Sequence, residues 1–208
     1  QVWLEDFREE LKDVFALQDK IARVVAENLQ ISAGAAPRPN RTVNPDAHAL
    51  VLEGRFFWNQ RAERPEEVLG KAAAAFQRAL ALDANFAEAH AGLGDVWVTR
   101  GLYRSLDGRG ASASDDYARA KVEAERALEL NPALAEPHVT LGYVAYCELQ
   151  FAASEQHYAR AFAANPNYAL AYHWHALRVS AFGRFDDRLR EIEQSIRHDP
   201  LSSNSRCS

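Results

Sequence analysis

Pro132, Pro166 and Pro200 stand 34 residues apart, and so do Ala127, Ala161 and Ser195. Gly142 and Ala176 keep the same step. A period of this length narrows the possible folds sharply. It matches one helix–turn–helix unit, and such a unit buries its apolar face only against a neighbouring copy. The ladder therefore predicts an all-α chain, a right-handed α-α solenoid of about four helical hairpins. Solenoids of this kind present an extended surface to a partner and are poor frames for chemistry.

Bulk composition agrees. With 208 residues, 48% of them hydrophobic, the chain can bury a core and is not a disordered segment. A net charge of -5 and the lack of a basic run argue against a nucleic-acid partner. No apolar run approaches the roughly 20 residues that span a bilayer, so no membrane partner is expected for this segment. The first residues are charged and amphipathic, unlike a signal peptide. The two cysteines, Cys147 and Cys207, make no disulfide framework, and reduced thiols point to a cytoplasmic setting. The chain has no Met and opens on Gln1, which reads as a segment of a longer polypeptide.

The small residues align four hairpins. Gly54, Gly94, Gly142 and Ala176 mark the first helices, and Ala79, Ala127, Ala161 and Ser195 mark the second. From a second helix to the next first helix the step is always 15, whereas inside the hairpins it is 25, 33, 19 and 19. Junctions between hairpins must keep apolar faces in register, while the turn within a hairpin tolerates added length. Extra residues are thus expected near 61–65 and, as a mobile Gly- and Ser-rich stretch, within 101–114. Gly or Ala sits where helices cross closely, and larger side chains there overpack. Phe57, Phe76, Trp97, Tyr158 and Tyr172 fill the remaining volume. Asn131–Pro132, Asn165–Pro166 and Asp199–Pro200 each stop a helix, with Asp83–Ala84 at the first boundary.

These signals divide the chain into an amphipathic segment at 1–33, a linker at 34–46, an array at 47–200 and a tail at 201–208. The array splits into 47–84, 85–132, 133–166 and 167–200. In the first segment Val14, Leu17, Ile21, Val24 and Val25 recur at helical spacing over a helix at 5–31. The fourth hairpin fits least well. His175 stands where Leu is expected and Arg188 where a small residue is, and only Leu189, Ile192 and Ile196 make its apolar stripe. Its open end makes a homo-oligomer a second expectation.

A 34-residue period with Gly or Ala in one helix, Ala in the next and a closing Pro resembles the tetratricopeptide repeat. The strings DVFALQDKIARVVAENL, GRFFWNQR, LNPALAEPHVTLGYVAY, NPNYALAYHWHAL and GRFDDRLREIEQSIRHDPLS are further similar to one bacterial group. These are multidomain regulators in which a TolB-like domain precedes a tetratricopeptide array. The resemblance makes residues 4–29 the end of a TolB-like domain. It implies an adenylate cyclase domain, winged-helix activator or Ser/Thr kinase elsewhere in the polypeptide.

No catalytic, cofactor or metal constellation stands out. His173 and His175 are two apart, on opposite faces of a helix, so they cannot share an ion. His90 and His138 recur one turn before Gly94 and Gly142, as packing residues would. Gly92–Leu93–Gly94 lies in a helix and lacks the preceding strand of a phosphate loop. Asn40–Arg41–Thr42 is a glycosylation sequon without a secretion signal.

The first helices of such a solenoid line its concave face. Counting from the small residues gives a candidate groove of Arg55, Trp58, Asn59, Asp95, Thr99, Tyr143, Tyr146, His173 and Trp174, with Val98, Cys147 and Leu177 beside them. Aromatics with scattered polar groups suit an extended peptide or a helix. Asp95 and Glu136 would repel a free carboxylate, so a carboxylate-terminated tail is disfavoured. The expectation is a non-catalytic interaction module for a protein or peptide partner, including other domains of its own polypeptide. Homo-oligomerisation and the sensing of a small ligand near Tyr143 and Trp174 are the alternatives.

Overall fold

A computed structural model describes residues 44–200 except 63 and 109, and the amphipathic segment, most of the linker and the tail lie outside them. Among the described residues there are eight helices and no strand. They are α1 (Pro45–Asn59), α2 (Pro65–Leu82), α3 (Ala87–Leu106), α4 (Gly110–Leu130), α5 (Glu136–Cys147), α6 (Phe151–Ala164), α7 (Ala169–Ala181) and α8 (Phe185–His198). Each consecutive pair forms a hairpin, and each hairpin packs on the next.

Local chemistry sets the helix ends. Asn44 caps α1, its Oδ1 accepting from the amides of Asp46 at 3.0 Å and Ala47 at 3.4 Å, and Pro45 follows where a missing N–H costs nothing. The last residues of the expected linker are therefore the cap and first turn of α1. The junctions repeat one turn. Asp83, Asn131 and Asn165 each accept, through the side-chain oxygen, the amide two residues on, at 3.0, 3.1 and 3.0 Å. Their own amides donate to Ala79, Ala127 and Ala161 at 2.9, 2.8 and 2.9 Å, and Asp199 does the same to Ser195 at 2.9 Å. One turn built at all three junctions is why the 15-residue step never varies.

The expected mobile stretch at 101–114 is corrected. Most of it is helical: α3 runs to Leu106 and α4 starts at Gly110. Charge and packing tie the lengthened helices together. Buried Asp116 on α4 pairs with Arg100 at 2.6 Å and Arg104 at 2.8 Å on α3. Gly101 leaves room for the Tyr117 ring, which a Cβ would meet at 2.5 Å. Glycine here serves close approach rather than a break. In the first hairpin the added length goes to the turn at 60–64 and to α2, which has 18 residues against 14 in α6 and α8.

The core runs continuously through the stack. Phe76 is fully buried between two glycines: a Cβ on Gly54 would lie 2.6 Å from its ring, and one on Gly92 would clash with it as well. Burying such a ring contributes about 1.5–3 kcal/mol. Gly94, expected at a tight crossing, is looser: a Cβ there would meet its nearest neighbours at 3.5 Å, an ordinary contact. Ala79, Ala127, Ala161 and Ser195 are all buried. In the turn of the third hairpin Leu149 takes φ +60°, where the fourth hairpin has Gly183 at +70°.

Candidate functional site

The concave face holds a pocket of about 420 Å³ built from both ends of the array. Arg55, Trp58 and Asn59 come from α1, Glu136 from α5, Tyr168 and Asn167 from the turn before α7, His173 from α7, and Ser195, His198 and Asp199 from the end of the last hairpin. Hairpins one and four, distant in sequence, thus face one another across the groove.

Four of the nine expected groove residues line this pocket: Arg55, Trp58, Asn59 and His173. The others lie elsewhere. Asp95 is 3% exposed, on α3, and serves as a joint between three hairpins. Its carboxylate pairs with Arg55 of α1 and accepts from Thr140 Oγ1 of α5 at 3.0 Å, while its carbonyl accepts from Trp58 Nε1 at 3.3 Å. Thr99 is buried, its hydroxyl without a hydrogen-bond partner among the described residues. Tyr143 and Trp174 are buried against each other, edge to face at 4.6 Å. Tyr146 is half-buried and leads outward to exposed Phe151 and Phe182, at 6.2 and 6.3 Å.

Electrostatics differ along the pocket. Burial opposes the charge of Arg55, but Asp95, helped by Tyr168 and Glu136, outweighs it and holds the guanidinium protonated. Burial, then Arg61 and Arg188, lower His173, so its ring is neutral near pH 7. Burial, then Asp95 and Glu136, raise Tyr168 well above the ordinary phenol range, which keeps its hydroxyl intact. Arg61 is buried below the pocket, 3.5 Å over the Trp58 ring, and donates to the Trp58 carbonyl at 3.0 Å. That carbonyl lies in the last turn of α1, where the helix dipole favours a cation. Glu136 opens α5 with no ion-pair partner among the described residues.

Tyr168, Asn167 and His198 were not among the groove residues expected from the sequence. Tyr168 occupies the register of Phe86 and Leu134, so its pattern reads as core. A polar tip on that aromatic is the one signal that could have drawn notice. The remaining histidines are structural. His90 Nδ1 lies 2.6 Å from Glu123, and at the same register His138 lies 3.3 Å from His157. His175 lies against the Tyr158 ring and 3.0 Å from Glu191, on the side of α7 away from the pocket. Among the described residues no three His, Cys, Asp or Glu side chains group as metal ligands, and no helix is long and apolar enough to cross a membrane.

No protein-family model matches the chain, and no curated protein does. Solved structures do. A thermophilic tetratricopeptide protein of Thermus thermophilus superposes with a TM-score of 0.59 at 17% identity, over 93% of this chain and 90% of that one. MamA gives 0.45 at 15% identity over 96% and 97%, and YrrB, a tetratricopeptide protein with an unusual peptide-binding site, gives 0.37 at 17% over 88% and 94%. The first of these likenesses, with the eight-helix order and the repeated junction turn, gives this chain the tetratricopeptide solenoid fold.

Proposed function

We propose that the array is a non-catalytic interaction module whose concave pocket holds a segment of a protein partner or of another domain of the same polypeptide. In this reading it is the regulatory part of a larger bacterial signalling protein in the cytoplasm. The supporting observation is convergence: polar side chains from three hairpins, Asn59, Glu136 and His173, meet at one concavity beside an apolar wall of Trp58 and Leu170. A few directed polar groups on an apolar surface suit recognition of an extended segment. Asp95, Thr99, Tyr143 and Trp174 act in this site by holding α1, α3, α5 and α7 in place.

The test is a displayed library of extended peptides followed by fluorescence anisotropy on the selected binders. Asn59→Ala, Glu136→Ala and His173→Ala should each weaken the best binder about tenfold, equivalent to about 1.4 kcal/mol, with melting temperature unchanged. If the library yields no binder, or if the three variants bind as tightly as the parent, the proposal fails.

A further inference from the structure

The polar groups of the concave pocket divide into a satisfied and an unsatisfied set. Arg55 is held by the Asp95 carboxylate, and Trp58 Nε1 donates to the Asp95 carbonyl at 3.3 Å. The Glu136 carboxylate, the Tyr168 hydroxyl and the His173 ring, by contrast, have no hydrogen-bond or ion-pair partner among the described residues. All three are half-buried, so each has given up part of its hydration with no protein partner in return.

Charge sets the sign of what would complete them. Besides its two histidines, the lining carries one cation, Arg55, and two carboxylates, Glu136 and Asp199. Arg55 is already neutralised from behind by Asp95, which is buried and outside the lining. Arg61 is buried and outside the lining too, so it offers a ligand no donor. Burial is the largest cause of the raised Tyr168 phenol, and after it Asp95 and Glu136 outweigh Arg55 and Arg61. The field at the Glu136–Tyr168 end is therefore negative, whereas Arg61 and Arg188 give the His173 end the opposite sign.

An apolar wall leads to that negative end, made by Trp58 and Leu170. Long basic side chains match such a surface, laying their methylene stems along apolar groups and keeping the charged head at a polar tip. Their heads are donors only, as a carboxylate and a phenol oxygen require. An acidic side chain or a free carboxylate would instead meet Glu136 and Asp199. Building on the reading of this pocket as a site for a partner segment, we propose that the segment is anchored by one basic side chain, lysine or arginine. Its stem lies along Trp58 and Leu170, and its cationic head donates to the Glu136 carboxylate and Tyr168 Oη.

Random short peptides displayed against the full 208-residue chain test this. Binders should share one Lys or Arg position, and selection on Glu136→Lys should replace it with Asp or Glu. By fluorescence anisotropy, changing that position to Gln in the tightest selected peptide should weaken binding to the parent chain about tenfold and to Glu136→Gln less than about twofold. Tyr168→Phe, which loses only the hydroxyl, should weaken the basic peptide about threefold and leave the Gln peptide unchanged, an arm that stands even if the Glu136 variants fold poorly. Lys and Arg compared at the position report which head the site takes, and either supports the proposal. Binders that share no basic position, or a Gln penalty of equal size on the parent, Glu136→Gln and Tyr168→Phe, would overturn the basic anchor and leave the peptide-site reading standing. No binder at all would remove that reading, and the anchor with it.

Discussion

Asp95→Ala separates a joint from a ligand-binding group. Asp95 reaches Arg55 in the first hairpin and Thr140 in the third, so its loss loosens two interfaces together. Removing one partner of a buried ion pair costs about 3–5 kcal/mol, because the other charge is left without compensation. Arg55 keeps 26% of its side chain in solvent, so its guanidinium recovers part of its hydration. That brings the ion-pair share down to about 2 kcal/mol, and the orphaned Thr140 hydroxyl adds about 1–2 kcal/mol. The expected loss is therefore about 3–4 kcal/mol. Urea denaturation followed by circular dichroism reads it as a lower midpoint at unchanged slope. The double variant Arg55→Met with Asp95→Leu removes both charges and should lose less than the sum of the two single changes. A loss below about 1 kcal/mol for Asp95→Ala, the range of ordinary surface substitutions, would refute the joint and return Asp95 to the groove as a free ligand group.

Two further outcomes follow from packing and charge. Gly54→Ala should destabilise by about 1–3 kcal/mol, since its Cβ meets the Phe76 ring and Gly92 blocks that ring on the other side, whereas Gly70→Ala, exposed in mid-helix, should stabilise by about 0.5–1 kcal/mol; chemical denaturation measures both. Burial, then His157 and Arg160, hold His138 down to about 4, and burial with Arg160 and Lys121 lowers His157 too. The fold thus favours neutral rings, so stability present above the unfolded value near 6.5 is lost as pH falls from about 6.5 toward 4. The partial exposure of His157 limits that loss to about 1–2 kcal/mol. His157→Glu recreates the His90–Glu123 arrangement of the second hairpin and should shrink the fall in melting temperature between pH 7 and pH 5; an unchanged fall would rule the pair out as its source.

What the sequence made legible, and what it did not, follows from where each signal is encoded. The junctions were readable because each is local: four or five residues ending in the same Asx turn, with a small residue four positions before. The tip of the second hairpin was misread for the opposite reason. Gly101, Ser112 and Ser114 look like breakers in a window, but Asp116, Arg100 and Arg104 meet across the hairpin and carry both helices on. The groove lies between these cases. Counting along each first helix places Arg55, Asp95, Tyr143 and Leu177 at one register, and the count alone gives all four the same exposure. Exposure instead depends on what crosses over each position, and in the middle of the array both neighbours do. Opposite charges at the same register of adjacent hairpins, as in Arg55 and Asp95, can meet directly, so such a pair is a joint before it is a site. Partner-facing groups are better sought where a polar tip replaces a core residue at a fixed register. Tyr168, standing where Phe86 and Leu134 stand, meets that criterion and lies on the pocket wall.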